Sequence, residues 1–136
     1  MAHATKEEQK VNSDTYYQRN KEEVKANNRV WKKNNPIKVY MGVVRRRARS
    51  QKLKFDLDFE WFKERIDNGV CEVTGLYFVD SGKPMTPFMK SVDRTNPEGG
   101  YTKDNCKMVV WMYNAGKGGN SHSDLMVMAK ALCTQS

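Results

Sequence analysis

The chain has 136 residues, a formal charge of +8 and a pI near 9.4. That length suits one globular domain plus an appendage and leaves no room for two full domains. No apolar run approaches the roughly 20 residues that span a bilayer, and the three cysteines, Cys71, Cys106 and Cys133, are too few and too widely spaced for a disulfide framework or, alone, a zinc site.

The N-terminal MAHATKEEQK has no apolar core of the kind a signal peptide carries. The expected location is therefore a reducing cytoplasm, with no membrane partner. The charge is uneven. Residues 1–54 hold 15 basic and 5 acidic side chains, a balance of +10, whereas residues 55–136 hold 9 and 11, a balance of −2. Such asymmetry points to a polyanionic partner, although a solvated basic helix would look the same.

Residues 1–12 are polar and are expected to be disordered. Ser13 or Asp14 is placed to cap a helix that runs to about Asn34. Only Tyr16, Tyr17, Val24, Val30 and Trp31 give that helix an apolar seam, so it reads as an arm. Lys32 and Lys33 lie at its end. Pro36 opens a second helix, IKVYMGVVRRRARSQK, in which Arg45, Arg46, Arg47 and Arg49 stand almost together, followed by Lys52. Four arginines in five positions wrap around much of a helix. A solubility patch would account for them, but the guanidinium fork also suits phosphate.

A short amphipathic helix is expected over 56–68, closed by Gly69, with Leu57, Trp61, Phe62 and Ile66 inward. The run CEVTGLYFV is rich in β formers, and Gly82, Pro84 and Pro87 mark a loop. Two β-like runs follow, Phe88–Arg94 and Tyr101–Val110, joined through TNPEGG as a hairpin. Trp111–Lys117 is compatible with a short helix. After Gly118, Gly119 and Asn120, Ser121 or Ser123 caps a last helix with Leu125, Met128, Ala129 and Leu132 inward. The fold class is thus α+β: a basic helical arm over 1–54 and a folded domain over 55–136.

Within this frame Asp93 lies on the first strand of the hairpin and Asn114 on the helix after it. A carboxylate and a carboxamide oxygen are hard donors that suit Mg²⁺ or Mn²⁺, and such ions commonly use only one or two protein groups. Asp and Asn in such places are also ordinary turn formers and caps.

The pattern Cys-x-x-Thr-Gly, then Ser-x-Asp-Arg, then Gly-Tyr-x-x-x-Asn, then Asn-x-x-Lys resembles the HNH (ββα-metal) endonucleases, in particular small members from phages and mobile elements. The stretch SVDR…GGYTKDNCKMVVWMYNAGK carries the likeness, which covers about residues 70–132. Asp93-Arg94 stands at the family's Asp-His pair, Asn105 at its central Asn, and Asn114, nine residues later, at its final ligand. The resemblance implies a ββα-metal core and a metal-dependent DNA endonuclease used in homing, packaging, restriction or interference. It implies that Asp93 and Asn114 hold Mg²⁺ or Mn²⁺, that Asn105 fixes the hairpin and orients the base, and that Arg94 and Lys117 contact phosphate. DNA would be held along its backbone by Arg45, Arg46, Arg47, Arg49, Lys52, Lys32 and Lys33. A single centre cuts one strand, so double-strand cleavage would call for a homodimer or two binding events.

Two departures from the family stand out. Arg94 occupies the place of the His that activates water, and a guanidinium cannot accept a proton. Tyr101, Lys90 and His122 are the side chains near in sequence that could replace it, or the water acts without a side-chain base; an exposed capping role also suits His122. The zinc knuckles of many relatives are missing too. Cys71 keeps one position, Thr74 replaces its partner, and Val110 and Tyr113 stand at the other pair, so no structural zinc is expected. Val110, Trp111, Tyr113 and the aromatics of Leu76–Phe78 are expected to brace the fold instead, with Cys106 and Cys133 as buried small hydrophobes. The alternatives are a degenerate HNH fold that only binds DNA and a basic RNA-binding or assembly protein.

Overall fold

The computed structural model describes residues 5–135. It is mixed α+β. Among the described residues there are five helices and one two-stranded antiparallel sheet. The chain divides into two compact units at Val39/Tyr40.

The first unit holds α1 (Lys6–Asn34) and the start of α2 (Pro36–Ser50). The backbone is already helical from Lys6, so neither the disorder expected over residues 5–12 nor a start at Ser13 or Asp14 is found; residues 1–4 lie outside the described part. Tyr16, Val30 and Trp31 are more than half exposed and Val24 is partly covered, so these four form no continuous seam; the Tyr17 side chain lies outside the described part. The break before Pro36 is steric. A proline disfavours a helical residue before it, and its lost N–H matters least at a first turn.

The second unit begins inside α2. Val44 and Ala48 are fully buried, which fastens this half of the helix to the core. The boundary therefore falls well ahead of the expected one near 54, and Arg45, Arg46, Arg47, Arg49 and Lys52 belong with the folded domain.

α3 (Phe59–Asn68) starts where Asp58 accepts a hydrogen bond from the Trp61 amide (2.9 Å) and ends at Gly69 with φ 72°. That left-handed backbone is accessible to glycine at little cost. Trp61 and Phe62 point inward, and Phe62 meets the Tyr40 and Trp61 rings edge-on at 5.9 and 4.9 Å.

Strands β1 (Lys90–Arg94) and β2 (Cys106–Val110) pair with Asp93 opposite Lys107 and Arg94 opposite Cys106. They are shorter than expected. Tyr101 leaves the sheet to form a bridge with Phe55, and CEVTGLYFV contributes only a bridge between Val70 and Tyr77. Met108, Val109 and Val110 are all buried, so β2 is covered on both faces and forms the middle of the core. β2 runs directly into α4 (Trp111–Lys117), which packs over both strands.

The last helix, α5 (His122–Gln135), is opened by a reciprocal cap between Ser121 and Asp124. Of the four residues expected inward, Leu125 and Ala129 are half-buried, whereas Met128 and Leu132 are exposed. No helix is long and apolar enough to cross a membrane among the described residues.

Candidate functional site

The sequence after β2 folds back over β1, and this sets the site. Asn114 and Lys117 are three residues apart on α4 and so share a helix face. Asn114 donates Nδ2 to Ser91 Oγ (2.8 Å) and to the Val92 carbonyl (3.2 Å). Lys117 donates Nζ to Asp93 Oδ2 (2.7 Å) and to the Arg94 carbonyl (3.1 Å). Helix and strand are thus stitched together by two side chains rather than by backbone pairing.

Two clefts meet at Asp93. The smaller, about 210 Å³, is lined by Arg47, Asp93, Arg94, Tyr101 and Asn114 together with Val92, Pro97 and Gly118. The larger, about 490 Å³, is lined on its polar side by Glu72, Asp93, Lys107, Lys117 and His122. Both belong to the second unit.

Lys117, expected at a phosphate, is instead buried at 2% exposure with Asp93 at 4%. A buried ammonium needs an anionic partner, and Asp93 supplies it. Lys117 is a structural cation.

Arg94 lines the small cleft but is heavily committed. Its Nη1 donates to the Pro97 (2.6 Å) and Gly99 (3.1 Å) carbonyls, and its Nη2 to Gln51 Oε1 (3.3 Å). The guanidinium lies 5.0 Å from the centre of the Tyr101 ring. Two of its five N–H donors are left for a ligand, so the expected phosphate contact has little to draw on.

Asn105 closes the connection between the strands. Its Oδ1 accepts from the Asn96 amide (2.9 Å), and its Nδ2 donates to the Asn96 (3.0 Å) and Gly100 (2.9 Å) carbonyls. It makes no bond to a candidate base.

The three side chains considered as proton acceptors separate. Tyr101 is buried in the small cleft. His122 lines the larger cleft, with Nδ1 2.9 Å from the Tyr113 hydroxyl. Lys90 lies elsewhere, its ammonium 4.9 Å over the Tyr40 ring.

The arginines of α2 separate as well. The Arg45 guanidinium stands 5.5 Å over Phe55, Arg46 donates Nε back to the Gly42 carbonyl (3.4 Å), and Arg47 reaches the small cleft. Arg49, Lys52, Lys32 and Lys33 are exposed on the surface. Tyr40, close enough to feel the Arg47 charge, has its hydroxyl pushed up to about 12 by burial, with Arg47 pulling the other way by less.

A hard dication would find two donors. With Oδ2 of Asp93 on Lys117 and Nδ2 of Asn114 on β1, the remaining oxygens are Asp93 Oδ1 and Asn114 Oδ1, in residues that line one cleft. One carboxylate and one carboxamide, with water completing the shell, fit Mg²⁺ or Mn²⁺. They do so beside an ammonium that already shares the carboxylate. No group of three or more His, Cys, Asp and Glu side chains placed for a metal is found among the described residues.

Cys71 has the outline of a metal knuckle without its partners. Burial works to raise its pKa, but hydrogen bonds from Thr74 and from the Val110 and Val73 backbone outweigh it and leave the thiol below its usual value. The residue packs with Val109 and Val110 under Val73, Phe78 and Tyr113. Leu76 and Tyr77 stay exposed, so the bracing comes from Phe78 alone of that trio. Cys106 is buried, its thiol pushed up to about 12 by desolvation, while Cys133 is exposed rather than buried.

Sequence reasoning missed the Asp93–Lys117 pair, the tie between Gln51 and Arg94, and the singling out of Arg47. The spacing of Asn114 and Lys117 was a signal for the first; the others depend on tertiary placement. Compared with family models, curated proteins and solved structures, the chain matches none.

Proposed function

We propose that this protein is an HNH-type DNA endonuclease that hydrolyses phosphodiester bonds with Mg²⁺ or Mn²⁺. The observation that carries the reading is the joint placement of Asp93 on β1 and Asn114 on α4, both lining one cleft that also holds two arginines. The order of elements, hairpin then short helix folded over it, is what a ββα-metal core requires.

Asp93 Oδ1 and Asn114 Oδ1 would hold the ion, which when bound supplies charge stabilisation to the phosphoryl group and the leaving oxygen. Lys117 fixes one oxygen of Asp93, and Ser91 with Val92 fixes the amide end of Asn114, so each donor is aimed before substrate arrives. Arg94 and Asn105 keep the 95–105 connection in place beside the cleft. The proton of the attacking water would pass to His122, whose imidazole lines the adjoining cleft that shares Asp93, or to bulk water, since the neutral phenol of Tyr101 cannot take it and Lys90 lies in a separate place. The basic helices supply affinity for the DNA backbone that is salt-sensitive and largely sequence-independent.

A second reading, a fold of this type that binds DNA without cutting it, is favoured by one observation. The small cleft is lined by no histidine, and Arg94 stands where a base is expected.

The test is relaxation of supercoiled plasmid with Mg²⁺, Mn²⁺ or EDTA. Asp93→Asn and Asn114→Ala are assayed beside the natural protein, with circular dichroism to show that each folds. Metal-dependent nicking lost in both folded variants is the expected result. Binding without nicking under either metal moves the protein to the second reading.

A further inference from the structure

The four arginines of α2 look equivalent in sequence, but the fold gives Arg45, Arg46 and Arg47 different places. Val44 and Ala48 define the buried face of the helix. At about 100° per residue, Arg45 and Arg47 flank that face on opposite sides and Arg46 points away from it. The Arg45 side lies over Phe55, and Arg46 is turned back on its own helix. The Arg47 side opens on the cleft of Asp93, Arg94 and Asn114.

The charges around this cleft can be accounted for one by one. Lys117 and Asp93 neutralise each other in the interior. Arg94 spends three N–H donors on Pro97, Gly99 and Gln51. Arg47 is exposed, and among the described residues its guanidinium has no hydrogen bond or ion pair. The residue thus lines the cleft with its fork uncommitted, against a background that is net positive. A singly charged anion with two oxygens on one face matches it.

We propose that Arg47 is the phosphate-holding residue of this cleft, gripping a DNA phosphodiester there rather than serving with its neighbours as a general contact to the backbone. The inference rests on the nuclease reading above, although the phosphate contact itself can be tested without cleavage. Arg47 would touch the phosphate whose bond is broken, and its fork would hold the two non-bridging oxygens as charge builds on them. The role expected of Arg94 from its position in the motif passes to a residue outside the motif.

Two measurements on the full-length protein test this. The first is labelling of arginines with phenylglyoxal, read by peptide mass spectrometry, with and without a short duplex and with inorganic phosphate. Duplex is expected to slow labelling of Arg47 by at least about tenfold and that of exposed Arg46 by much less, because a bidentate phosphate contact occludes the whole fork. Equal protection of both residues, or none at Arg47, overturns the proposal. The second is plasmid nicking by Arg47→Ala and Arg47→Lys. Loss of a contact made in the transition state predicts a fall of about 100-fold in kcat for Arg47→Ala with only a few-fold change in DNA affinity. Lysine should restore affinity but only part of the rate. A fall in affinity alone, with kcat kept, overturns the proposal as well. The two readings fail separately. An uncut plasmid with Arg47 protected means a phosphate site on a protein that does not cleave. Nicking with Arg47 unprotected sinks this assignment and leaves the nuclease intact.

Discussion

Two connections in the folded unit, residues 95–105 and 76–89, are similar in length and in their content of turn residues, yet they are held by different means. The first is tied by a side chain at the end of β1 and by the side chain of its own last residue. Arg94 reaches the Pro97 and Gly99 carbonyls, and Asn105 pairs with both polar groups of the Asn96 backbone and with Gly100. The second is shaped mainly by local turns: Asp80 caps the Gly82 amide, and Ser81 the Lys83 amide. It leaves Leu76, Tyr77, Val79 and Met85 about half exposed or more. Both residues that a motif would assign to chemistry in the first connection are occupied with holding it. A residue's place in a pattern fixes where it stands, whereas its partners decide what it has left to offer.

The hardest blow to the ordered side is Lys117→Ala. It leaves Asp93 buried and charged with no partner, which costs about 3–5 kcal/mol for a pair of this kind. Urea unfolding measures it. A loss below about 1 kcal/mol would show that water reaches Asp93 freely and that the pair does little for the fold.

Next is Gly100→Ala. A Cβ there would stand 2.8 Å from the Lys54 carbonyl oxygen, and backbone must shift to admit it. Overpacking of that sort costs about 1–3 kcal/mol. Gly42→Ala serves as the control, because nothing lies within 4 Å of its added carbon and the position is helical. There alanine should stabilise by about 0.5–1 kcal/mol.

Asn105→Ala comes third. It removes one acceptor and two donors from carbonyl and amide groups of the 95–105 connection. The site is partly exposed, so water replaces some of what is lost, and about 1–2 kcal/mol is expected. Calorimetry should show a lower melting temperature, and hydrogen exchange should be faster at the Asn96 amide. An unchanged rate there would show that Arg94 holds the connection without Asn105.

Much of this architecture is legible in the sequence, for local reasons. Gly69 closes α3 as expected because a left-handed C-cap is short-range chemistry, whereas the start was misread: the helix begins at Phe59 behind an Asp58 cap and not at 56. Gly118 ends α4 with a positive φ of 55° but outside the left-handed helical conformation of Gly69. The hairpin, α4 and the Ser121 cap follow from alternation and spacing. The lengths of the strands do not, because Tyr101 is recruited by Phe55 rather than by β1. The inward face of α5 is also misread: its apolar residues go round the helix, and periodicity offers no reason to choose Leu125 over Leu132. In the site, the candidate donors Asp93 and Asn114 are visible in the motif. The fate of Lys117 and of the α2 arginines is not, since it depends on which neighbours lie across the fold. Four like side chains in five positions carry no mark of which one meets a cleft.

The smallest effects belong to the loosely held connection. Tyr77 is 77% exposed and Met85 64%, and neither side chain takes part in a hydrogen bond among the described residues. Replacing either with serine removes apolar surface most of which stays in water, so the transfer free energy that punishes core truncations is small. Each variant should unfold within about 0.5 kcal/mol of the natural protein, with an unchanged dependence on urea. The contrast with Gly100→Ala then rests on one distinction, since both changes lie in connections and only one meets backbone. A loss above about 1 kcal/mol for Tyr77→Ser would mean that the 76–89 segment is packed as tightly as the 95–105 segment, and the difference between the two connections would disappear.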